Sequence, residues 1–151
     1  MKPTPKGWPR ISASVYYEDP AKAIDFLAKA FGFEVQVKHE EDGVVVHSQL
    51  VIPGGLVMVG GLVSAKTPSK EREAQWRRSP LQIGGGNTQA LFIYVDDADA
   101  HCAVARAAGA KIVSEPKTVD YGEAWWSDRG YEAEDLEGHH WHFAHRVRDP
   151  K

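Results

Sequence analysis

A chain of 151 residues suffices for one domain, or for two small modules that share a core, and its 42% hydrophobic residues are enough to fill one. A net charge of -3 argues against a general nucleic-acid binder, which needs a dominant basic surface. The single cysteine, Cys102, excludes an internal disulfide and any zinc-finger spacing.

Met1 to Arg10 is proline-rich and basic, without the apolar stretch of a secretory leader. No apolar run approaches the roughly 20 residues of a membrane span. A cytoplasmic protein with no membrane partner and no nucleic-acid partner is the expectation.

From Ile11 to Tyr17 apolar residues alternate, with Ile11, Ala13, Val15 and Tyr17 on one side and Ser12, Ser14 and Tyr16 on the other, which predicts a strand. Asp19-Pro20 is a helix cap followed by proline at the first helical position. Ile24, Leu27 and Phe31 then form one apolar face, and Gly32 supplies the stop. Phe33–Lys38, Val44–Ile52 and Leu56–Val63 read as three further strands, separated by the turn formers Asp42-Gly43 and Pro53-Gly54-Gly55. Module one thus spans about 10–63. Residues 64–87 are polar and irregular, with Pro68, Pro80 and Gly84-Gly85-Gly86, and read as a linker or flap.

Module two covers about 88–147. Leu91, Ile93 and Val95 alternate with Ala90, Phe92 and Tyr94 in a strand. Asp96-Asp97 caps a helix that runs to Ala108 and stops at Gly109; Cys102 falls inside it, as a small buried thiol rather than a nucleophile. Lys111–Ser114, Glu123–Trp126, Tyr131–Glu132 and His140–Val147 are the predicted later strands. Before the last of them, Glu134-Asp135-Leu136-Glu137-Gly138 is an acidic turn whose carboxylates read as solvated and whose glycine can take a positive φ. His140-Trp141-His142-Phe143 alternates polar and aromatic residues, so the imidazoles face away from the core.

The two halves align without gaps. Tyr17 matches Tyr94, Asp19 matches Asp96, Ala28 matches Ala105 and Gly32 matches Gly109, all 77 residues apart. An internal repeat of this kind is organisational evidence, because either half alone would leave a sheet face uncovered.

Two consecutive β-α-β-β-β modules, with YVDDADAHCAVARAAGAKIVSEP and DRGYEAEDLEGHHWHFAHRV in the second and YYEDPAKAIDFLAKAFGFE and HSQL in the first, resemble the vicinal oxygen chelate superfamily. The likeness is to its glyoxalase and bleomycin-resistance branch and covers about Ile11 to Val147. It implies an α+β fold in which a curved mixed sheet encloses a cavity with helices outside, a single domain over 1–151, and a homodimer that often completes the pocket between chains. In metal-dependent members a divalent ion sits on His, Glu or Gln side chains from four strands. Carried over by residue, those positions fall on Ser12, Gly60, Ala90 (or Gln89, one position off) and His142. Serine, glycine and alanine side chains do not supply the three or four donors such an ion needs. No cofactor is therefore expected at that position, with a divalent metal on a shifted ligand set as the alternative.

The candidate ligand-binding residues are Tyr16, His47, Gln49, Phe92, Tyr94, Trp125, Trp126, Arg129, Tyr131, His140 and His142. Tyr16, Phe92 and Tyr94 lie on the sheet face opposite the helices by alternation, where rings suit a flat or hydrophobic ligand. One of Trp125 and Trp126 is expected to join them and the other to enter the core, unless the pair caps the core or a dimer seam. His140 and His142 either line the cavity or share an ion with His47 as third donor. Arg129 and Tyr131 are placed on the same face as the histidines, as a clamp for a carboxylate or phenolate, or else as a surface ion pair with Glu132, Glu134 or Asp128. The leading function is a small-molecule-binding protein that sequesters an aromatic or hydrophobic metabolite or drug. The alternative is a metal-dependent glyoxalase- or dioxygenase-like enzyme that uses His142 as ligand or as general base. A regulatory protein with a vestigial pocket is the third.

Overall fold

A computed structural model of the chain describes residues 1–61 and 75–151. Its elements are β1 (Ala13–Tyr17), α1 (Pro20–Phe31), β2 (Glu34–Glu41), β3 (Val44–Ile52), β4 (Gly55–Gly61), a short 3-10 helix (Pro80–Ile83), β5 (Leu91–Tyr94), α2 (Ala98–Ala107), β6 (Lys111–Asp120), β7 (Ser127–Glu134) and β8 (His140–Arg148). Two four-stranded sheets result, ordered β1-β4-β3-β2 and β5-β8-β7-β6. In each, the strand before the helix pairs in parallel with the last strand of its module, and the rest is antiparallel. The sheets are mixed, as the resemblance implied, and do not close on each other through strand pairing. No helix among the described residues is long and apolar enough to cross a membrane.

Each helix buries one stripe. On α1 it is Pro20, Ala23, Ile24, Leu27, Ala30 and Phe31; on α2 it is the smaller set Ala98, Cys102 and Ala105. The stripes settle on their own sheets and on each other, giving one core that both modules share. Phe31 joins them most directly, with ring centroids 5.4 Å from Trp141 and 4.8 Å from Phe143. The predicted helix ends hold: the Asp19 carboxylate accepts from Lys22 N, and Gly32 takes the left-handed C-cap conformation.

The spacing of the repeat needs correction. Asp97, not Asp96, caps α2, accepting from Asp99 N and Ala100 N. Asp19 and Asp97, Pro20 and Ala98, and Ile24 and Cys102 are therefore the structural counterparts, 78 residues apart. Chemical likeness paired Tyr17 with Tyr94, yet Tyr17 is fully buried and Tyr94 is 53% exposed. Tyr16 is the true counterpart of Tyr94.

Strand limits differ where local sequence misled. Ile11 and Ser12 precede β1, and β4 is described only to Gly61, so the predicted Leu62 and Val63 lie outside the described residues, as does 64–74 of the proposed flap. Beyond it, Ser79 caps the 3-10 helix through a reciprocal pair of bonds with Gln82. β6 runs past Ser114 to Asp120 because Pro116 falls on an edge strand, at a register irregularity where no ladder N–H is required. Glu123–Trp126 is not a strand but part of the turn that joins β6 to β7, closed by Trp125 N to Gly122 O and Tyr121 N to Trp126 O.

The acidic turn is not solvated. Asp135 and Glu137 are 6% and 3% exposed. Asp135 accepts from Tyr17 OH (2.6 Å), Trp141 Nε1 (2.9 Å) and the backbone N–H groups of Glu137 and His139. Glu137 accepts from Glu18 N (2.8 Å), Asp19 N (2.9 Å) and Ser79 Oγ. Gly138 makes the turn possible with φ of 90°. A turn of module two thereby satisfies the backbone ahead of α1 and fastens the two modules together. Glu134 alone of the three carboxylates is half-exposed.

Candidate functional site

With α2 on one face of the second sheet, its other face stays open among the described residues and carries Phe92, Tyr94, His140 and His142. Phe143, Trp141 and Ala133 point to the core, so their strand neighbours point out: His140 and His142 from β8, Glu132 and Glu134 from β7. Cross-strand register sets His142 opposite Glu132 and His140 opposite Glu134. Phe92 pairs in parallel with His142 and lies nearly flat against its imidazole, at 6.2 Å between centroids and 19° between planes. Tyr94 stands edge-on to Phe92 at 5.4 Å. Phe92 and Tyr94 remain 58% and 53% exposed.

A hollow of about 100 Å³ opens on this face, lined by Phe92, His142, Glu132, Ser114, Tyr121 and Gly130 among others. Gly130 brings no side chain to it, and a β-carbon there would lie 2.7 Å from Phe143 O of the neighbouring strand. At one end Asp128 accepts from Arg146 Nε (2.6 Å) and Tyr94 OH (3.0 Å), and Arg146 Nη2 donates to Tyr94 OH (2.7 Å). The Arg146 guanidinium also sits over the rings of Tyr94 (5.5 Å) and Trp126 (5.3 Å). Asp128, with help from the tyrosine and Asp149, holds the Arg146 guanidinium well above its ordinary pKa. Trp126 thus joins the site through a cation, while Trp125, 58% exposed, packs edge-on to it at the rim. Neither indole enters the core as a strand residue would, because both belong to a turn.

At the other end His140 Nε2 donates to Glu134 Oε1 at 3.1 Å, and Lys111 Nζ binds the second oxygen at 2.7 Å. Lys111 first, and His140 less, keep the Glu134 carboxyl below the usual carboxylate range. His140 also borders a crevice of about 190 Å³ between the modules, with Ser14, Tyr16, Trp76, Gln89 and His139. Tyr16 stands here edge-on to Trp76 at 5.6 Å, with the Arg77 guanidinium 5.0 Å from its ring.

His47 and Gln49 occupy the first sheet, joined to each other by Gln49 Nε2 donating to His47 Nε2 at 3.0 Å. They are not brought to the histidines of β8: the third ligand-type side chain within reach of His140 and His142 is Glu132. Arg129 and Tyr131 are also displaced from the expected face. Tyr131 pairs with Phe143 across the strands and therefore shares its inward side, where its hydroxyl meets His101 Nδ1 at 2.7 Å. Burial raises the Tyr131 pKa and lowers that of His101. Arg129, on the same side, clamps Asp99 of α2 through Nε and Nη2 rather than any of the acids of its own hairpin. Extending the period-two pattern of β7 back from Glu132 finds what was missed, namely Gly130 and Asp128, and the same alternation carried along β8 from His142 reaches Arg146, whose pairing with Asp128 continues the register of His142 with Glu132.

The positions implied for the divalent ion of metal-dependent relatives do not fit one. Ser12 lies outside β1, Ala90 and Gln89 are exposed ahead of β5, and Gly60 has no donor. The Tyr16 ring lies 3.7 Å from where a β-carbon of Gly60 would be. His142, with Gln89 only if the register is one position off, is the ligand-type side chain among them, short of the three or four donors an ion needs.

The sequence profile of the Glyoxalase/Bleomycin resistance protein/Dioxygenase superfamily matches residues 11–143, and the chain belongs to that superfamily. An uncharacterized protein of Mycobacterium bovis is 31% identical over 142 residues, which cover 93% of this chain and 86% of that one. The crystal structure of TioX from Micromonospora sp. ML1 superposes with a TM-score of 0.66 at 30% identity, over 90% of this chain and 98% of TioX. TnmS3, described as an antibiotic binding protein from Streptomyces sp. CB03234, shares the fold with a TM-score of 0.61 at 17% identity, over 93% and 98% of the two chains.

Proposed function

We propose that this protein binds a small aromatic or hydrophobic organic molecule, a metabolite or drug, against the open face of its second sheet, without a metal at the position of the metal-dependent relatives. One observation carries the reading. Phe92 and Tyr94 stand exposed side by side on a sheet face that also holds the paired Asp128 and Arg146 and the side chains of Glu132 and His142. Rings supply contact area and the polar groups supply orientation, the usual division of labour in a small-molecule site. Membership of a superfamily that includes bleomycin-resistance proteins, and the fold shared with the antibiotic-binding TnmS3, support it.

A hollow of about 100 Å³ is well below the roughly 300–1,000 Å³ of pockets that enclose organic ligands. We therefore assign the remaining wall to a second copy of the chain, placed over the same face. Light scattering should return twice the chain mass; a monomer that still binds ligand would refute this part alone. The ligand reading itself is tested by titrating tryptophan fluorescence with a panel of aromatic antibiotics, in the native chain and in Phe92→Ala and Tyr94→Ala. Binding in the micromolar range, weakened about threefold to tenfold by either change, is the result expected from losing one ring contact of about 0.5–1.5 kcal/mol.

A further inference from the structure

We propose that Glu132, His140 and His142 form a binding site for a divalent transition-metal ion of the Zn²⁺ type, built within the second module and sharing only His142 with the four-strand position of the family. The site goes beyond the ligand reading and stands whether or not the face binds an organic molecule. His140 and His142 are two residues apart on β8 and share its open side, and Glu132 faces His142 from β7. One ligand atom from each of the three lies within 4.8 Å of the others. His142 Nδ1 and Glu132 Oε1 are 3.8 Å apart, too long for a hydrogen bond. Two donors on one ion at about 2.0–2.2 Å stand about 3.3–3.5 Å apart in a tetrahedron, so small side-chain rotations bring this pair into range.

The surroundings suit the assignment. Glu134 accepts from His140 Nε2 and is itself held by Lys111, so the ring is oriented from behind. A carboxylate behind a ligating imidazole is a recurrent outer partner that fixes tautomer and basicity. The three side chains are 30%, 34% and 36% exposed for His140, His142 and Glu132, enough for an ion to enter and to keep an open coordination position. Two imidazoles and one carboxylate select Zn²⁺, Co²⁺, Ni²⁺ or Cu²⁺ over Mg²⁺ or Ca²⁺, which favour oxygen alone.

The test is Co²⁺ titration of the metal-stripped full chain near neutral pH, followed by visible absorption, with Zn²⁺ as competitor. One Co²⁺ per chain, displaced by Zn²⁺ and not by Mg²⁺, is expected. His140→Ala, His142→Ala and the near-isosteric Glu132→Gln should each weaken uptake about tenfold or more, with unchanged circular dichroism, and His47→Ala should leave it intact. Absence of stoichiometric uptake overturns the proposal. So does uptake that survives both histidine changes, or that is lost with His47→Ala. Ligand titrations run without metal are untouched by either failure, so the two readings fall separately.

Discussion

Asp135 shows how much one side chain can hold when the fold surrounds it with donors. Its carboxylate takes two side-chain and two backbone hydrogen bonds at a position 6% exposed, linking Tyr17 of module one with Trp141 of module two. Burial first, and the neighbouring Asp135 charge second, push the Tyr17 hydroxyl pKa well up, so the tyrosine stays a donor at any working pH. Hydrogen bonds to a charged group contribute about 1.5–3 kcal/mol each, and buried donors left unpaired cost about 1–3 kcal/mol. Asp135→Ala should therefore lower the unfolding free energy by about 3 kcal/mol or more, read from the urea midpoint. Tyr17→Phe should cost less, and in the double variant the two losses should not add, because each removes the same bond. An Asp135→Ala protein within about 0.5 kcal/mol of the native chain would contradict the assignment.

At the scale of elements, alternation decided which faces could be read in advance. β5 and β8 are regular, so Phe92, Tyr94, His140 and His142 came out on the open side as expected. The sequence pattern marks β7 only at Tyr131–Glu132, too short to fix a phase, and so predicts the wrong face for Arg129 and Tyr131. The pairing of Tyr131 with Phe143 corrects it. Trp125 and Trp126 looked like a strand because large aromatics favour strands, yet Gly122 ahead of them takes φ of 106° and turns the chain. The burial of Asp135 and Glu137 was illegible for a different reason: their partners, Tyr17, Glu18, Asp19 and Ser79, lie far away in sequence. Gly130 offers a test of the β7–β8 register. An added β-carbon would meet Phe143 O at 2.7 Å and Ala144 Cβ at 3.0 Å, mostly rigid backbone surroundings. Gly130→Ala should cost about 1–3 kcal/mol in denaturant, the range for overpacking; a neutral effect would mean that the strands pair differently.

For the whole molecule, the repeat, the helices and the two-module organisation were legible because hydrophobic period and turn formers agree along most of the chain. What the sequence could not locate was the relation between modules, carried by Phe31 against Trp141 and Phe143 and by the two buried acids. That relation leaves the rings of the second sheet open while the core stays shared. The proposed function therefore requires those rings to be a recognition surface. The most direct check is equilibrium binding of an aromatic antibiotic panel to the native chain and to a Phe92→Ala/Tyr94→Ala double variant whose circular dichroism is unchanged. Micromolar binding of at least one compound, weakened by about tenfold or more in the double variant, is predicted. Equal affinity in both proteins, or no binding by any compound to the native chain, would contradict it.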